Sequence, residues 1–326
     1  MKVSVCIPVY GVEKYIERCA RSLFEQTMKD GIEFIFVDDC TPDNSIEVLK
    51  KVLEEYPDRK NQVKIIRHEV NKGLTGARNT ALQNVSGNYV SHCDSDDWVD
   101  TNLYETMYKK AIEEQADVVM CSFAVESKTT KHFYIDNVSI EYIFNNYFFK
   151  TGYNTPIWNK MFHRSIALNP ELIVPHNITM AEDLLRVTQM LLYSKKLTVC
   201  NDVFYHYYLN PASVTNNYSR KTFENWIAVF DILQKILPEN YVAQRNALAG
   251  QLILNGLFTK DVTSKEIRQK VTRKMHWQTL FCKLIEKKER IILAAAFVSM
   301  PITKSCVQIL KAIIKMRRFS TDNQHD

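Results

Sequence analysis

In the stretch SHCDSDDWVD, positions 94 to 97 hold three aspartates, Asp94, Asp96 and Asp97, with Ser95 among them. Carboxylates crowd together only when something compensates their charge. The apolar Tyr89-Val90 just ahead reads as the end of a strand, which puts the three acids on a loop. Oxygen ligands on such a loop suit a hard divalent cation, magnesium or manganese. A cation held by only one or two protein carboxylates shares its remaining positions with water and substrate phosphates. The plain alternative is a solvated acidic turn in which Asp97 caps the next helix. A second acidic pair, Asp38-Asp39, follows the apolar run IEFIFV. A third, Glu182-Asp183, opens MAEDLLRVTQMLLY, where an aspartate also suits the start of a helix.

These acids need elements to hold them. Val3 to Val9 is short, apolar and β-branched, as a buried strand should be. Gly11 ends it, and Val12, Tyr15, Ile16, Cys19, Ala20, Leu23 and Phe24 then recur at helical spacing. Further strands are expected at 32–37, 63–66, 88–93 and 117–123. Helices are expected between them: one capped by Asp43 with Ile46, Leu49, Val52 and Leu53 inward, one over 75–85, and one over 103–116. Strand alternating with helix predicts a mostly parallel twisted sheet with helices on both faces, an α/β fold. Ligands bind such sheets beyond the carboxyl ends of the strands. Those ends are Pro8-Val9-Tyr10, Asp38-Asp39 and Asp94-Ser95-Asp96-Asp97, so the acids collect on one edge. The chain has neither G-x-G-x-x-G nor G-x-x-x-x-G-K-[ST], which excludes a dinucleotide fingerprint and a P-loop.

The segments VSVCIPVYGVEKYIERCARSLFEQT, FIFVDDCTPDNS, NKGLTGARNTAL and GNYVSHCDSDDWVD occur in this order. Together they resemble the nucleotide-sugar-binding half of glycosyltransferase family 2, of GT-A fold. The resemblance is strong over 1–125 and weaker through IWNKMFHRS, MAEDLLRV and YHYYLNPASVT. It implies that Pro8, Val9 and Tyr10 border the nucleoside and that Asp39 accepts from a uracil-type base. Asp94 and Asp96 match the D-x-D, with Asp94 nearest the ribose and Asp96 nearest metal and diphosphate. Cys40-Thr41 departs from the glycine frequent in relatives after the paired aspartates. Arg78 carries a rigid fork suited to phosphate or carboxylate; it either meets the nucleotide or pairs with the acidic loop.

The same resemblance implies an inverting, metal-dependent transferase that uses Mn2+ or Mg2+ and a UDP-sugar donor. Asp183 would be the base that takes a proton from the acceptor hydroxyl. Glu182, Trp158, Lys160 and His206 are lesser candidates for acceptor or diphosphate contacts. Trp158 and His206 fit core or hydrogen-bonded structural roles as well. The rivals are a sugar nucleotidyltransferase, which should show a glycine-rich basic loop after the first strand, and an inactive nucleotide-sugar-binding or membrane scaffold.

Charge separates the chain into regions. The whole carries 42 Lys and Arg against 37 Asp and Glu, while residues 260–326 alone carry 15 against 6. Basicity confined to the tail does not suit a nucleic-acid-binding protein. The eight cysteines form no C-x-x-C pair, so a zinc site is not expected. Met1-Lys2 leads straight into a strand with no signal-like segment, which favours the cytoplasm. The organisation expected is a nucleotide-sugar half over 1–125, an acceptor half over 126–215 and a helical region over 216–326. The longest apolar run, 291–303, is about 13 residues where a membrane span needs roughly 20. KSCVQILKAIIKMRR (304–318) reads as a basic amphipathic helix. It could lie on the inner face of a membrane beside a glycan or lipid-linked glycan acceptor, or pack its stripe on the protein.

Overall fold

The computed structural model describes residues 1–136, 138–149, 153, 155–210 and 218–322, with 310–322 as backbone alone. Two compact units divide the chain, Met1–Ser213 and Val214–Asp326.

In the first unit, β1 (Val3–Val9), α1 (Ile16–Phe24), β2 (Ile32–Asp38), α2 (Ser45–Glu54), β3 (Val63–Arg67), α3 (Gly73–Leu82) and β4 (Tyr89–His92) follow the expected alternation. Then come β5 (Trp98–Val99), α4 (Leu103–Glu114), β6 (Val118–Glu126), β7 (Lys131–Phe133), α5 (Ile140–Tyr147), β8 (Lys160–His163), α6 (Arg164–Ala167), α7 (Glu182–Tyr193) and β9 (Leu197–Tyr208). Every residue of β1 and β2 is buried, as strands covered on both faces require. The first helix starts at Ile16 rather than Val12, because Val12 to Tyr15 form a tight turn. Its face of Ile16, Cys19, Ala20, Leu23 and Phe24 is buried as the spacing predicts.

The nine described strands form one sheet in the order β3-β2-β1-β4-β8-β6-β9-β5, with β7 added on β6. The sheet is mixed, with its longest ladders parallel. β3, β2, β1 and β4 run parallel, but β8 enters antiparallel to both β4 and β6. β8 is four residues long, and β5 only two, too short to show a period of their own. Gly87 sits where a Cβ would lie 2.6 Å from the backbone nitrogen of Ser4, so only glycine lets the chain pass β1 on its way into β4.

The second unit is helical: α8 (Arg220–Ile236), α9 (Val242–Phe258), α10 (Ser264–Lys270), α11 (Arg273–Thr279) and α12 (Lys287–Asp322). Among its members, α9 is the most deeply buried, with Ala247, Leu248, Leu252, Ile253 and Leu257 inside. Lys304 of α12 donates to the carbonyls of Gly256 and Thr259, and Gln308 to that of Leu257 at 2.9 Å. Part of the expected basic face therefore caps the C-terminus of α9, where cations are favoured. Val307 is buried but Cys306 is exposed. The rest of the expected stripe, Leu310, Ile313 and Ile314, lies outside the described side chains.

Candidate active site

The parallel half of the sheet delivers β1, β2 and β4 to one edge, and the acidic loops begin there. The backbone N–H of Asp39 donates to Val9 O at 3.0 Å, which holds the two loops side by side. Asp38 turns inward and accepts the Thr41 N–H at 2.8 Å. Asp39 is buried; its Oδ1 accepts the Lys72 N–H at 2.7 Å and lies 2.7 Å from His68 Nδ1. The other ring nitrogen of His68 lies 2.8 Å from Thr80 Oγ1. Cys40, where relatives often have glycine, adopts a left-handed φ of 59°. Tyr10 is half exposed beside this loop.

The three aspartates of the opening loop part company. Asp97 is fully buried, accepting Tyr205 Oη–H at 2.6 Å and the Tyr208 N–H at 2.7 Å. It fastens the loop to β9, and burial with Asp94 and Asp96 nearby pushes its carboxyl well up. Asp94 keeps a quarter of its side chain exposed and accepts Arg78 Nη2 at 2.9 Å. Asp96 accepts the Asn210 amide at 3.2 Å, and burial followed by Asp94 raises its carboxyl. Ser95 is buried between them.

Arg78 gathers the site. Although only 1% exposed, its guanidinium reaches Asp94 from β4's loop, Glu182 Oε2 at 2.5 Å, and Asp183 Oδ1. The internal pairing left open by the sequence is the arrangement seen. Glu182 also accepts Arg186 Nε at 2.6 Å. Burial works to raise the Glu182 carboxyl, yet Arg186 and Arg78 hold it below the usual carboxylate range. Asp183 shares Arg78 with Glu182 and Asp94. Burial and the adjacent Glu182 outweigh its share of Arg78 and push it up to about 8. Ala181, just before this pair, carries a left-handed φ of 60°, a conformation that costs an L-residue about 1 kcal/mol. Such strain at the entry to the Glu182-Asp183 pair marks where the fold holds the two carboxylates in a set position.

The lesser candidates lie deeper. Trp158 is 5% exposed and stacks on Tyr205, with ring centroids 4.4 Å apart, so its faces belong to the core. Lys160 is fully buried, donating to Pro156 O at 2.7 Å and Asn159 Oδ1 at 2.8 Å. Burial, against the pull of Asp183, lowers its ammonium to about 7. His206 is 2.8 Å from Glu126 and 3.0 Å from Asp100 through its two nitrogens and stacks on Trp98. Both nitrogens are thereby committed to carboxylates. Of YHYYLNPASVT, residues 211–215 lie outside the described residues.

Sequence reasoning missed Arg186, His68 and Tyr205 as individual residues. Arg186 was legible as a cation four positions after Glu182 on one helix face. His68 and Tyr205 had no signal, because their partners are 29 and 108 positions away.

The profile of glycosyl transferase family 2 matches residues 4–176, spanning the acidic loops and Arg78. This chain belongs to glycosyltransferase family 2. EpsH of Bacillus subtilis is 29% identical over 73% of this chain and 70% of its own length. GlyA of Streptococcus pneumoniae, a glycosyltransferase, is 31% identical over 68% of this chain; the match spans 32% of GlyA, a much longer protein. Staphylococcus aureus TarS 1–349, solved with UDP-GlcNAc, superposes with a TM-score of 0.70 at 19% identity, covering 96% of this chain and 92% of TarS 1–349. That likeness establishes the GT-A fold. As a family 2 glycosyltransferase the chain is an enzyme, which leaves no support for the nucleotidyltransferase and scaffold readings.

Among the described residues no group of three or more His, Cys, Asp or Glu is arranged to hold a metal by itself. The donor set still fits a divalent cation of the kind completed by phosphates and water. Asp96 accepts one side-chain amide, at 3.2 Å, and burial and Asp94 raise its carboxyl against the pulls of Asn210, a backbone N–H and Arg18.

Proposed function

We propose that this glycosyltransferase is an inverting, metal-dependent enzyme that moves a sugar from a UDP-sugar to a hydroxyl of a surface glycan or lipid-linked glycan. The observation that carries this reading is Arg78, buried and shared by Asp94, Glu182 and Asp183. One cation ties the donor-side loop to the carboxylate that would act as base. In this reading Asp39 meets the base beside Pro8, Val9 and Tyr10, and Asp94 meets the ribose. Asp96, with Asp94, would hold Mn2+ or Mg2+, whose charge would offset that of the departing diphosphate.

Asp183 takes the proton of the acceptor hydroxyl. That oxygen bonds to the anomeric carbon from the face opposite the diphosphate, and the bond to the phosphate oxygen breaks. Glu182 stays charged and keeps Arg78 in place. The name of TarS, a poly(ribitol-phosphate) beta-N-acetylglucosaminyltransferase, supports a glycan-type acceptor. The cytoplasmic setting, with the enzyme peripheral on the inner face of the membrane, is part of the same proposal.

Calorimetry with a panel of nucleotide sugars, with and without manganese, tests it. Manganese-dependent binding of one UDP-sugar that is lost in Asp96→Ala is the expected result. Failure of every donor to bind the folded protein would sink the reading.

A further inference from the structure

The surroundings of Asp39 restrict what its carboxylate can read. Each carboxylate oxygen offers two lone-pair positions. Asp39 Oδ1 has both engaged within the protein, by the Lys72 N–H at 2.7 Å and by His68 Nδ1 at 2.7 Å. His68 is itself fixed. It is buried, and its Nε2 lies 2.8 Å from Thr80 Oγ1 on α3. With the proton on Nδ1 shared with Asp39, Nε2 accepts the Thr80 hydroxyl proton, and both ring nitrogens are satisfied in one tautomer. The ring cannot turn without giving up both bonds. The Asn71 amide, donating to Asp39 O at 3.2 Å, holds the loop from the same side. Among the described residues, no hydrogen bond reaches Asp39 Oδ2.

We infer that His68 is a positioning residue that makes Asp39 a one-oxygen reader, selecting a uracil-type base over guanine. Uracil presents a single imide N–H, which Oδ2 alone can accept. Guanine presents N1–H and the 2-amino group side by side, a pair that a carboxylate matches with both oxygens. With His68 in place the second oxygen has no lone pair left to give. This rests on the proposal that Asp39 meets the donor base.

The test is calorimetric titration of the full chain, in manganese, with UDP, N3-methyl-UDP and GDP. The proteins are wild type, His68→Leu, His68→Asn and Thr80→Val, each checked for a cooperative melt. The wild type should bind UDP, reject N3-methyl-UDP and prefer UDP to GDP. His68→Leu frees one lone pair on Oδ1 and should narrow the UDP-to-GDP preference about tenfold, the scale of one hydrogen bond in base discrimination. His68→Asn, which returns an amide N–H near the place of Nδ1, should restore it. N3-methyl-UDP binding as tightly as UDP would remove Asp39 from base reading. Rejection of N3-methyl-UDP with an unchanged preference in His68→Leu, or an equal loss of both nucleotides, would overturn the role of His68 alone. If His68→Leu does not fold, Thr80→Val decides: loss of the second tether should narrow the preference about threefold, as a weakened hydrogen bond would, and no change would overturn the inference.

Discussion

Arg78, Glu182 and Asp183 share charge unequally. Glu182 holds two guanidinium partners and Asp183 a share of one, so the two neighbours are driven in opposite directions. As the proposed base, Asp183 must be deprotonated to work, so with its carboxyl pushed up to about 8 kcat/KM of the enzyme should climb between about pH 7 and 9. Asp183→Asn should lower kcat by roughly a thousandfold, flatten that limb and leave donor affinity unchanged; pH-rate profiles and calorimetry read both. Cys40 offers a separate check on backbone strain. Its left-handed φ costs an L-residue about 1 kcal/mol, so Cys40→Gly should raise stability by up to that amount in urea unfolding.

The site depends on α3 more than on any strand. Its Thr75 hydroxyl donates to Ile178 O, Arg78 gathers the carboxylates, Asn79 accepts Arg186 Nη2 at 2.7 Å, and Thr80 holds His68. One helix therefore fixes the chain before α7 and the loop after β2 together. The opposite end of the sheet has its own buried hub in Glu33 of β2. Its carboxylate accepts Ser4 Oγ at 2.6 Å, Ser86 N and Oγ at 2.7 Å each, and Lys64 Nζ at 2.7 Å. Burial works to raise it, but these donors depress it to about 2. A depressed carboxyl contributes stability above its unfolded pKa and loses it as the proton is taken up. Stability should thus fall between about pH 4.5 and 2 by roughly 3 kcal/mol from this group. Glu33→Gln should remove that part of the acid dependence, measured as urea midpoints across the range.

The two units answer different questions. The first holds the acidic loops and the family match. The second carries a helix segment, Lys287–Ile309, long and apolar enough to cross a membrane by length and composition, which alone is weak evidence that it does so. The apolar run was expected to be too short for that. Pro301 and the non-helical Ser299 lie within it, and the helix continues on both sides of this kink, so its apolar residues sum over a longer element than the run itself. One face, Leu293, Ala296, Met300 and Val307, is buried, while Ile291, Val298, Ile302 and Ile309 are exposed at spacings of seven, four and seven. If that exposed stripe lies on an anionic bilayer, the full chain should co-sediment with vesicles containing phosphatidylglycerol. Replacing Val298 and Ile302 by serine should reduce the bound fraction severalfold, by loss of buried apolar area, without changing UDP affinity. Equal sedimentation of both proteins would count against the membrane role.

The sequence by itself determined the first four strands, the helices between them, and the collection of Asp39, Asp94 and Asp96 on one edge. Local periodicity and the parallel connection rule are sufficient for that, because each strand end is dictated by the strand before it. The order of four motifs was enough to place the family. Tertiary structure alone decided the rest. The antiparallel β8 and the long β9, which with the residues after it brings Tyr205 and Asn210 to the acidic loop, have no period strong enough to read at β8 and no local sign of their partners. Asp94, Asp96 and Asp97 looked alike as letters and differ in space: one meets Arg78, one accepts the Asn210 amide, and one is closed off by β9. Which carboxyl keeps its proton is a property of burial and shared guanidinium groups. Those are set by contacts between residues about a hundred positions apart, a distance over which sequence spacing carries no information.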